Sequence, residues 1–273
     1  MVRKYFSTII GSQCTMEKLS DELQGIALIE IDNPEKRNAL SAQVMNDLRE
    51  IIQVSREDSS IKCAIFRSAT PGIFCAGADL KARLALTNDQ TEDLVMGLRN
   101  TFNDFANLPF PTIASIDGAA LGGGLEIALA CDLRIASKNS LIGLPETALA
   151  IIPGAGGTQR LPRLISPAKA KELIFTGARL KPQEALEIGI LNYVEEDYEA
   201  SYNKALSLAK MILRNGPLGV RAAKNAINKG LEVDLQTGLE IERLNYSRVA
   251  HSSDRIEGLK AFVEKRKPQY KGQ

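Results

Sequence analysis

Thr112-Ile113-Ala114-Ser115-Ile116-Asp117-Gly118-Ala119-Ala120-Leu121-Gly122-Gly123-Gly124-Leu125-Glu126-Ile127-Ala128-Leu129-Ala130-Cys131-Asp132-Leu133-Arg134-Ile135-Ala136 is the stretch on which the fold turns. A short apolar run over Thr112–Asp117, preceded by Pro109 and Pro111, reads as a strand. A glycine-rich turn follows, then an apolar helix beginning near Gly122, then a second strand over Asp132–Ala136. Strand, helix and strand within so few residues predict parallel pairing through a helical crossover. The same alternation extends upstream. Gly25–Ile31 reads as a strand, Asp32-Asn33-Pro34 as a turn, Ser41–Arg56 as a helix capped by Ser41, and Ile61–Arg67 as another strand, with helical stretches then running to Leu108. Downstream of Asp197 only helices are predicted: Tyr198–Arg214, Pro217–Leu231, Leu235–His251 and Asp254–Arg266. The expected fold is α/β over residues 24–196, with an α-helical segment over 197–273 and a flexible tail or short targeting segment over 1–23. The first 16 residues are basic, carry hydroxyls at Ser7 and Thr8 and lack acids, as a targeting segment would; a disordered tail with Met16 as an alternative start is the other reading.

Composition narrows the chemistry. Thirty-four Lys and Arg against 33 Asp and Glu leave a net charge of +1, too small for a chain-wide field that would grip nucleic acid or an anionic membrane. No apolar run approaches the roughly 18 residues of a membrane span. The single histidine, His251, cannot build a multi-histidine metal site. Cys14, Cys63, Cys75 and Cys131 form no CxxC and read as reduced thiols of an intracellular protein. Acid–base work is left to carboxylates, lysines, tyrosines and backbone amides.

Three glycine-bearing loops are candidates for a site. Pro71–Lys81 spaces Gly72 and Gly77 like a phosphate loop, but Ala78 and Asp79 stand where that motif needs Lys and Ser or Thr. It is either a tight turn or a place where a ligand approaches the backbone. Gly122-Gly123-Gly124 opens an apolar helix at a cost of about 1 kcal/mol per glycine relative to alanine, which points to an anion held at the helix start or to close packing of helix on strand. Glu126 has Gly122, Gly123, Leu129 and Ala130 as its helical neighbours, none able to pair with a carboxylate. Unless it lies on an uncovered surface it lines an apolar pocket, where desolvation favours the protonated form and suits it to proton transfer. The third loop carries Pro145-Glu146 and then Pro153–Arg160, in which Gln159 replaces the last glycine of a dinucleotide fingerprint.

Together these motifs resemble the enoyl-CoA hydratase/isomerase, or crotonase, superfamily over nearly all of Gln24–Gly272. The resemblance is carried by Asn33-Pro34 with Asn38-Ala39-Leu40, by Phe74–Lys81, by Gly122–Glu126, by Pro145-Glu146 and by Ile152–Leu161. Ala170–Phe175, Ala226-Ile227-Asn228, Glu232-Val233-Asp234 and Glu264-Lys265-Arg266 are similar to the methylglutaconyl-CoA hydratase-like subgroup.

The resemblance implies a spiral of ββα units, C-terminal helices that pack across subunits, and a homo-trimer or a hexamer made of two trimers. It implies an oxyanion hole formed by the N–H groups of Ala78 and Gly123 around the thioester oxygen of an acyl-CoA, and Glu126 and Glu146 flanking the double bond. Glu126 would activate water and Glu146 would protonate the α-carbon. Two carboxylates favour hydration; a double-bond isomerase needs one. No separate cofactor is implied, coenzyme A being part of the substrate. Ala76, Asp79, Leu80 and Lys81 of the first loop, Lys36 and Arg37 of the turn before the first long helix, and Phe262 and Lys265 of the basic tail are the implied CoA contacts. Residues 82–110 are the expected acyl pocket, with no cation there assigned to a second substrate carboxylate. One relative in the subgroup also binds AU-rich RNA through lysines of its first long helix. Here Ser41–Asp58 has only Arg49 and Arg56 against four acids, which argues against RNA. The compartment expected is a bacterial cytoplasm or a mitochondrial matrix.

Overall fold

A computed structural model describes residues 11–273, apart from the side chain of Lys81. In chain order the elements are β1 (Cys14–Lys18), β2 (Ile26–Ile31), α1 (Ala42–Glu57), β3 (Cys63–Ser68), α2 (Leu80–Arg83), α3 (Asn88–Ala106), β4 (Thr112–Ile116), β5 (Ala119–Leu121), α4 (Gly123–Ala130), β6 (Leu133–Ser137) and β7 (Leu141–Gly143). A 3₁₀ turn (Pro145–Leu149) leads to α5 (Gly157–Leu164), α6 (Pro167–Thr176), β8 (Arg179–Leu180), α7 (Pro182–Glu187) and β9 (Tyr193–Glu195). The chain then runs through α8 (Tyr198–Leu213), α9 (Pro217–Gly230), α10 (Leu235–Ala250) and α11 (Ser253–Val263).

The main sheet has the order β1-β2-β3-β4-β6-β9, parallel throughout except for β1, which pairs antiparallel with β2. Alternate residues serve its two faces, as the pleat requires. Ala27, Ile29, Ile31, Phe66, Ala114 and Ile116 meet α1, α3 and α4 in one core, while Ile26, Leu28, Ile65, Ile113 and Ile135 meet Tyr202, Ala205 and Ala209 of α8 in another.

A second, smaller layer makes the path a spiral. After β2 the chain forms a bridge at Leu40 before α1; after β3 it forms bridges at Cys75 and Ala78 before α2; β4 is followed by β5 and α4; β6 is followed by β7 and α5. Leu40 pairs with Ala78, Cys75 with Ala120, and β5 with β7, each in parallel, so successive turns stack in both layers. This is the ββα repeat that the resemblance implies. It brings the residues that follow each second-layer segment to one end of the stack.

Two sequence expectations are corrected. Residues 14–23 are not tail: Cys14 and Met16 are buried in β1 and Asp21–Leu23 form a 3₁₀ turn. The anchor is Asp47, which accepts hydrogen bonds from the amides of Ser12, Gln13 and Cys14 at 2.7–3.1 Å. Burial alone pushes its carboxyl up, yet these amides hold it below its ordinary value. Any targeting role for residues 1–10 lies outside the described residues. The boundary at 197 also moves, because α8 covers one face of the main sheet and so belongs to the core. The appendage begins after Leu213, and cations pin it back. Arg221 donates to the carbonyls of Ser59 and Ile61, and Lys224, its side chain 8% exposed, reaches Asp132 at 2.8 Å and the Phe110 carbonyl at 2.9 Å.

Candidate active site

The loop after β3 owes its path to buried polar residues. Asn38 is fully buried; its Nδ2 donates to Ser68 Oγ and to the carbonyls of Ile73 and Phe74, and its Oδ1 accepts from the Asn33 amide at 2.7 Å. Asp117 accepts from the Gly72 amide and from Ser137 Oγ. Sequence reading placed Asn38 in a motif but gave it no role. The sequence carried little signal, because Asn38 follows the charged Glu35-Lys36-Arg37; only its burial shows that its amide must find partners.

Fastened in this way, the loop presents Ala78. Leu40 N donates to the Gly77 carbonyl, and the Ala78 amide donates to no group among the described residues. Gly123 opens α4, where the first amides of a helix have no internal acceptor. A Cβ built on Gly123 would lie 3.8 Å from the Ala78 nitrogen. Two free N–H groups therefore adjoin at a helix N-terminus, where a partial positive charge favours an anionic oxygen.

The three glycines have separate tasks. A Cβ on Gly124 would lie 2.1 Å from the Cys75 carbonyl oxygen, so Gly124 permits close packing of helix on strand. Gly122, at φ 53°, lies against Glu146, whose Oε1 would be 3.2 Å from an added Cβ. The close-packing reading of the glycine run thus holds at Gly124, while Gly123 contributes a free amide to the helix start.

Glu126 is 3% exposed. Its Oε1 accepts from the amides of Ala155 (2.9 Å) and Gly157 (2.8 Å). Burial raises its pKa, while those two donors and the charges of Arg160 and Arg83 pull it back. Arg160 steadies the donor loop by bonding the Ala155 carbonyl and Asn103 Oδ1. Glu146, on the 3₁₀ turn, has no such cradle, and its Oε2 is buried without a partner. Burial, reinforced by the Glu126 charge, pushes the Glu146 carboxyl up to about 7, against a backbone hydrogen bond and Arg83. Of the pair, Glu126 is the better placed to be ionised and Glu146 to hold the proton.

Both carboxyls line a cavity of about 310 Å³ together with Ala76, Ala78, Leu80, Gly123 and a wall of Val95, Leu98, Leu149 and Ile152. A free amide pair and two unlike carboxyl groups around an apolar cavity can hold a developing oxyanion and move protons on adjacent carbons.

The remaining sequence candidates lie elsewhere. Lys36 and Asp79 do not line the cavity; they pair with each other at 3.3 Å. Arg37 is exposed in a left-handed turn, its carbonyl bonded to the Ala76 amide. Phe262 and Lys265 are exposed at the end of α11 and away from the cavity lining of this chain. The Lys81 side chain lies outside the described ones. Two cavity cations were missed altogether: Arg83, from the segment where no cation had been assigned, and Arg179 on β8.

The Enoyl-CoA hydratase/isomerase family model matches residues 21–273. The chain belongs to that family. Among individual relatives, mitochondrial methylglutaconyl-CoA hydratase of Mus musculus is 50% identical over 258 residues, spanning 93% of this chain and 82% of the relative. Mitochondrial enoyl-CoA hydratase domain-containing protein 2 of the same species is 46% identical over 260 residues, 94% of this chain and 88% of that one. The crystal structure of enoyl-CoA hydratase from Bacillus anthracis superposes with a TM-score of 0.92 at 44% identity, covering 96% of this chain and all of the other. The crotonase fold expected from the sequence is therefore the fold of the chain.

Proposed function

We propose that this chain is an enoyl-CoA hydratase that adds water across the double bond of a 2-enoyl-CoA thioester. The observation that carries the reading is the buried Glu126 and the half-buried Glu146, lining one cavity beside the free amides of Ala78 and Gly123. The amides hold the thioester oxygen and draw electron density from the conjugated system. Glu126, ionised, takes a proton from water as its oxygen bonds to the β-carbon. Negative charge collects on the thioester oxygen, and Glu146 gives its proton to the α-carbon, leaving a 3-hydroxyacyl thioester. The proton now on Glu126 passes to Glu146 through the next water. This cycle balances without a separate cofactor.

The family includes isomerases, and the two carboxyl groups favour hydration. The test is turnover of a 2-enoyl-CoA to its 3-hydroxyacyl product, set against conversion of a 3-enoyl-CoA to the conjugated isomer. If the isomer alone forms, the hydratase reading fails. The pH profile is a second check. As Glu146 must carry a proton, kcat/KM for hydration falls as pH rises through about 7, and it also falls on the acid side as Glu126 becomes protonated. Glu146→Gln, which keeps no titrating proton, should abolish the alkaline limb while leaving the acid one.

Such thioesters arise in fatty-acid and branched-chain amino-acid breakdown, and 3-methylglutaconyl-CoA is a candidate substrate by likeness to the mouse hydratase. The compartment would be the mitochondrial matrix or a bacterial cytoplasm; among the described residues no helix is long and apolar enough to cross a membrane. A homo-trimer or hexamer is supported by the apolar residues left exposed on the C-terminal helices, among them Leu235, Tyr246, Leu259 and Phe262. It would also bring Phe262 and Lys265 to a neighbouring subunit's CoA. Sedimentation equilibrium should give three or six times the mass of the chain, and a monomer would overturn that assignment.

A further inference from the structure

We propose that Arg99 and Asn103, on one face of α3, are positioning residues for the base Glu126, because they fix the peptide groups that hold its carboxylate. The inference rests on the reading of the site as an enoyl-CoA hydratase and adds residues that stand outside the cavity. Residues 150–156 link the 3₁₀ turn to α5 outside any helix or strand, so the peptide groups there take their orientation from whatever binds them. The Gly154–Ala155 peptide is bound at both ends. Its carbonyl accepts from Arg99 Nε at 3.2 Å, and its N–H donates to Glu126 Oε1 at 2.9 Å. The carbonyl of the next peptide, on Ala155, accepts from Arg160 Nη1 at 3.2 Å, and Arg160 Nη2 in turn donates to Asn103 Oδ1 at 2.6 Å.

Both clasps come from a single helix. Val95, Arg99 and Asn103 recur at four-residue intervals in α3, and a Cβ built on Gly154 would lie 2.6 Å from Val95 Cγ1, so all three side chains meet the 154–160 segment. A guanidinium on the carbonyl of a peptide also strengthens its N–H as a donor, because charge at one end of a hydrogen-bonded chain polarises the rest. The opposite side of α3 is seated in the core by Leu98, Thr101, Phe102 and Phe105, which makes it a firm support. The charged groups that face Glu126 are Arg160 of α5, Arg83 of α2 and Glu146 of the 3₁₀ turn; Arg99 and Asn103 do not line the cavity and act on Glu126 through the segment. Loosening that segment withdraws donors that favour the ionised carboxylate, so the base picks up its proton at a higher pH than in the wild type.

The test is the pH profile for hydration of 2-butenoyl-CoA. Arg99→Leu should lower kcat by on the order of 10-fold with KM within about threefold, and should displace the acid limb upward by roughly half a pH unit, while the alkaline limb, set by Glu146, stays in place. Arg99→Lys, which keeps a cationic donor, should recover most of both. Asn103→Leu alters no charge and should displace the acid limb in the same direction. Added to Glu126→Gln, which has no base to position, Arg99→Leu should cost less than about threefold in kcat. Arg99 and Asn103 are exposed, so the variants disturb no core packing, and residual hydration by each shows that it is folded. A loss of activity with the acid limb unmoved, or a full tenfold loss persisting in the Glu126→Gln background, would overturn the positioning role and leave the hydratase reading standing. A wild type that does not hydrate 2-butenoyl-CoA overturns the hydratase reading, and this inference with it.

Discussion

Glu126→Gln and Glu146→Gln should each lower kcat for hydration of a 2-enoyl-CoA by on the order of 10²–10⁴, with KM nearly unchanged. The two losses have different causes. In Glu126→Gln the new side chain can still accept from the amides of Ala155 and Gly157 and so stays in place, but it has no basic oxygen with which to take a proton from water. In Glu146→Gln the side chain fills the same volume against Gly122 but cannot release a proton to the α-carbon. Because the two groups work on one water and one double bond, the double variant should be little worse than either single one, since effects of residues that act as a unit do not add. Steady-state kinetics on the four proteins checks this. Full activity in both single variants would remove the two glutamates from the mechanism.

Removing one oxyanion amide should be nearly as damaging. Gly123→Pro suits the purpose because Gly123 is the first residue of α4, a position that tolerates proline, so the substitution deletes an N–H while preserving the helix start. Gly123→Ala is the control: it introduces the same Cβ, which would press on Leu40 Cδ1 at 2.7 Å, but keeps the donor. The end of a leucine side chain can shift, so the alanine variant should remain active. The proline variant should lose a further 10²–10³-fold, on the order expected for one oxyanion donor, and the loss should fall on kcat because the charge is greatest in the transition state. Similar kcat values for the two variants would remove the Gly123 amide from the chemistry.

Much of this could be read before any coordinates. The strands over Ile26–Ile31, Cys63–Ser68 and Thr112–Ile116 stood out as short, mostly apolar runs that are almost continuously buried, and the capped helix at Ala42 because its buried residues recur at helical spacing. Glu126 stood out because none of its helical neighbours could solvate it. The second layer did not, because Ala119–Leu121 and Leu141–Gly143 are three residues each, too short to display a period. β1 was missed although Cys14 and Met16 alternate with polar residues, because its stability comes from Asp47, more than thirty residues away. Arg83 was missed for a similar reason. A cation in a variable helical stretch is ordinary on a surface, and only the fold shows that its nitrogen lies inside a cavity with no acceptor. Long-range partners decided each of these cases, and spacing along the chain does not report them.

The cradle around Glu126 consists of peptide groups, those of Ala155 and Gly157. A grip of that kind can survive an exchange of side chain at Ala155, but not at Gly157, where an added Cβ would lie 2.8 Å from Pro153 Cβ and 3.0 Å from the Glu126 oxygen that the amide holds. Replacing Ala155 by another small residue would underrate it, since the replacement keeps its own amide. The segment's route is what evolution has to preserve, and the vulnerable places are those that fix the route: Gly156, whose backbone stands at φ 118°, and Arg160, which ties the segment to α3. Damage to the proton-transfer machinery can therefore originate in residues that never touch the substrate.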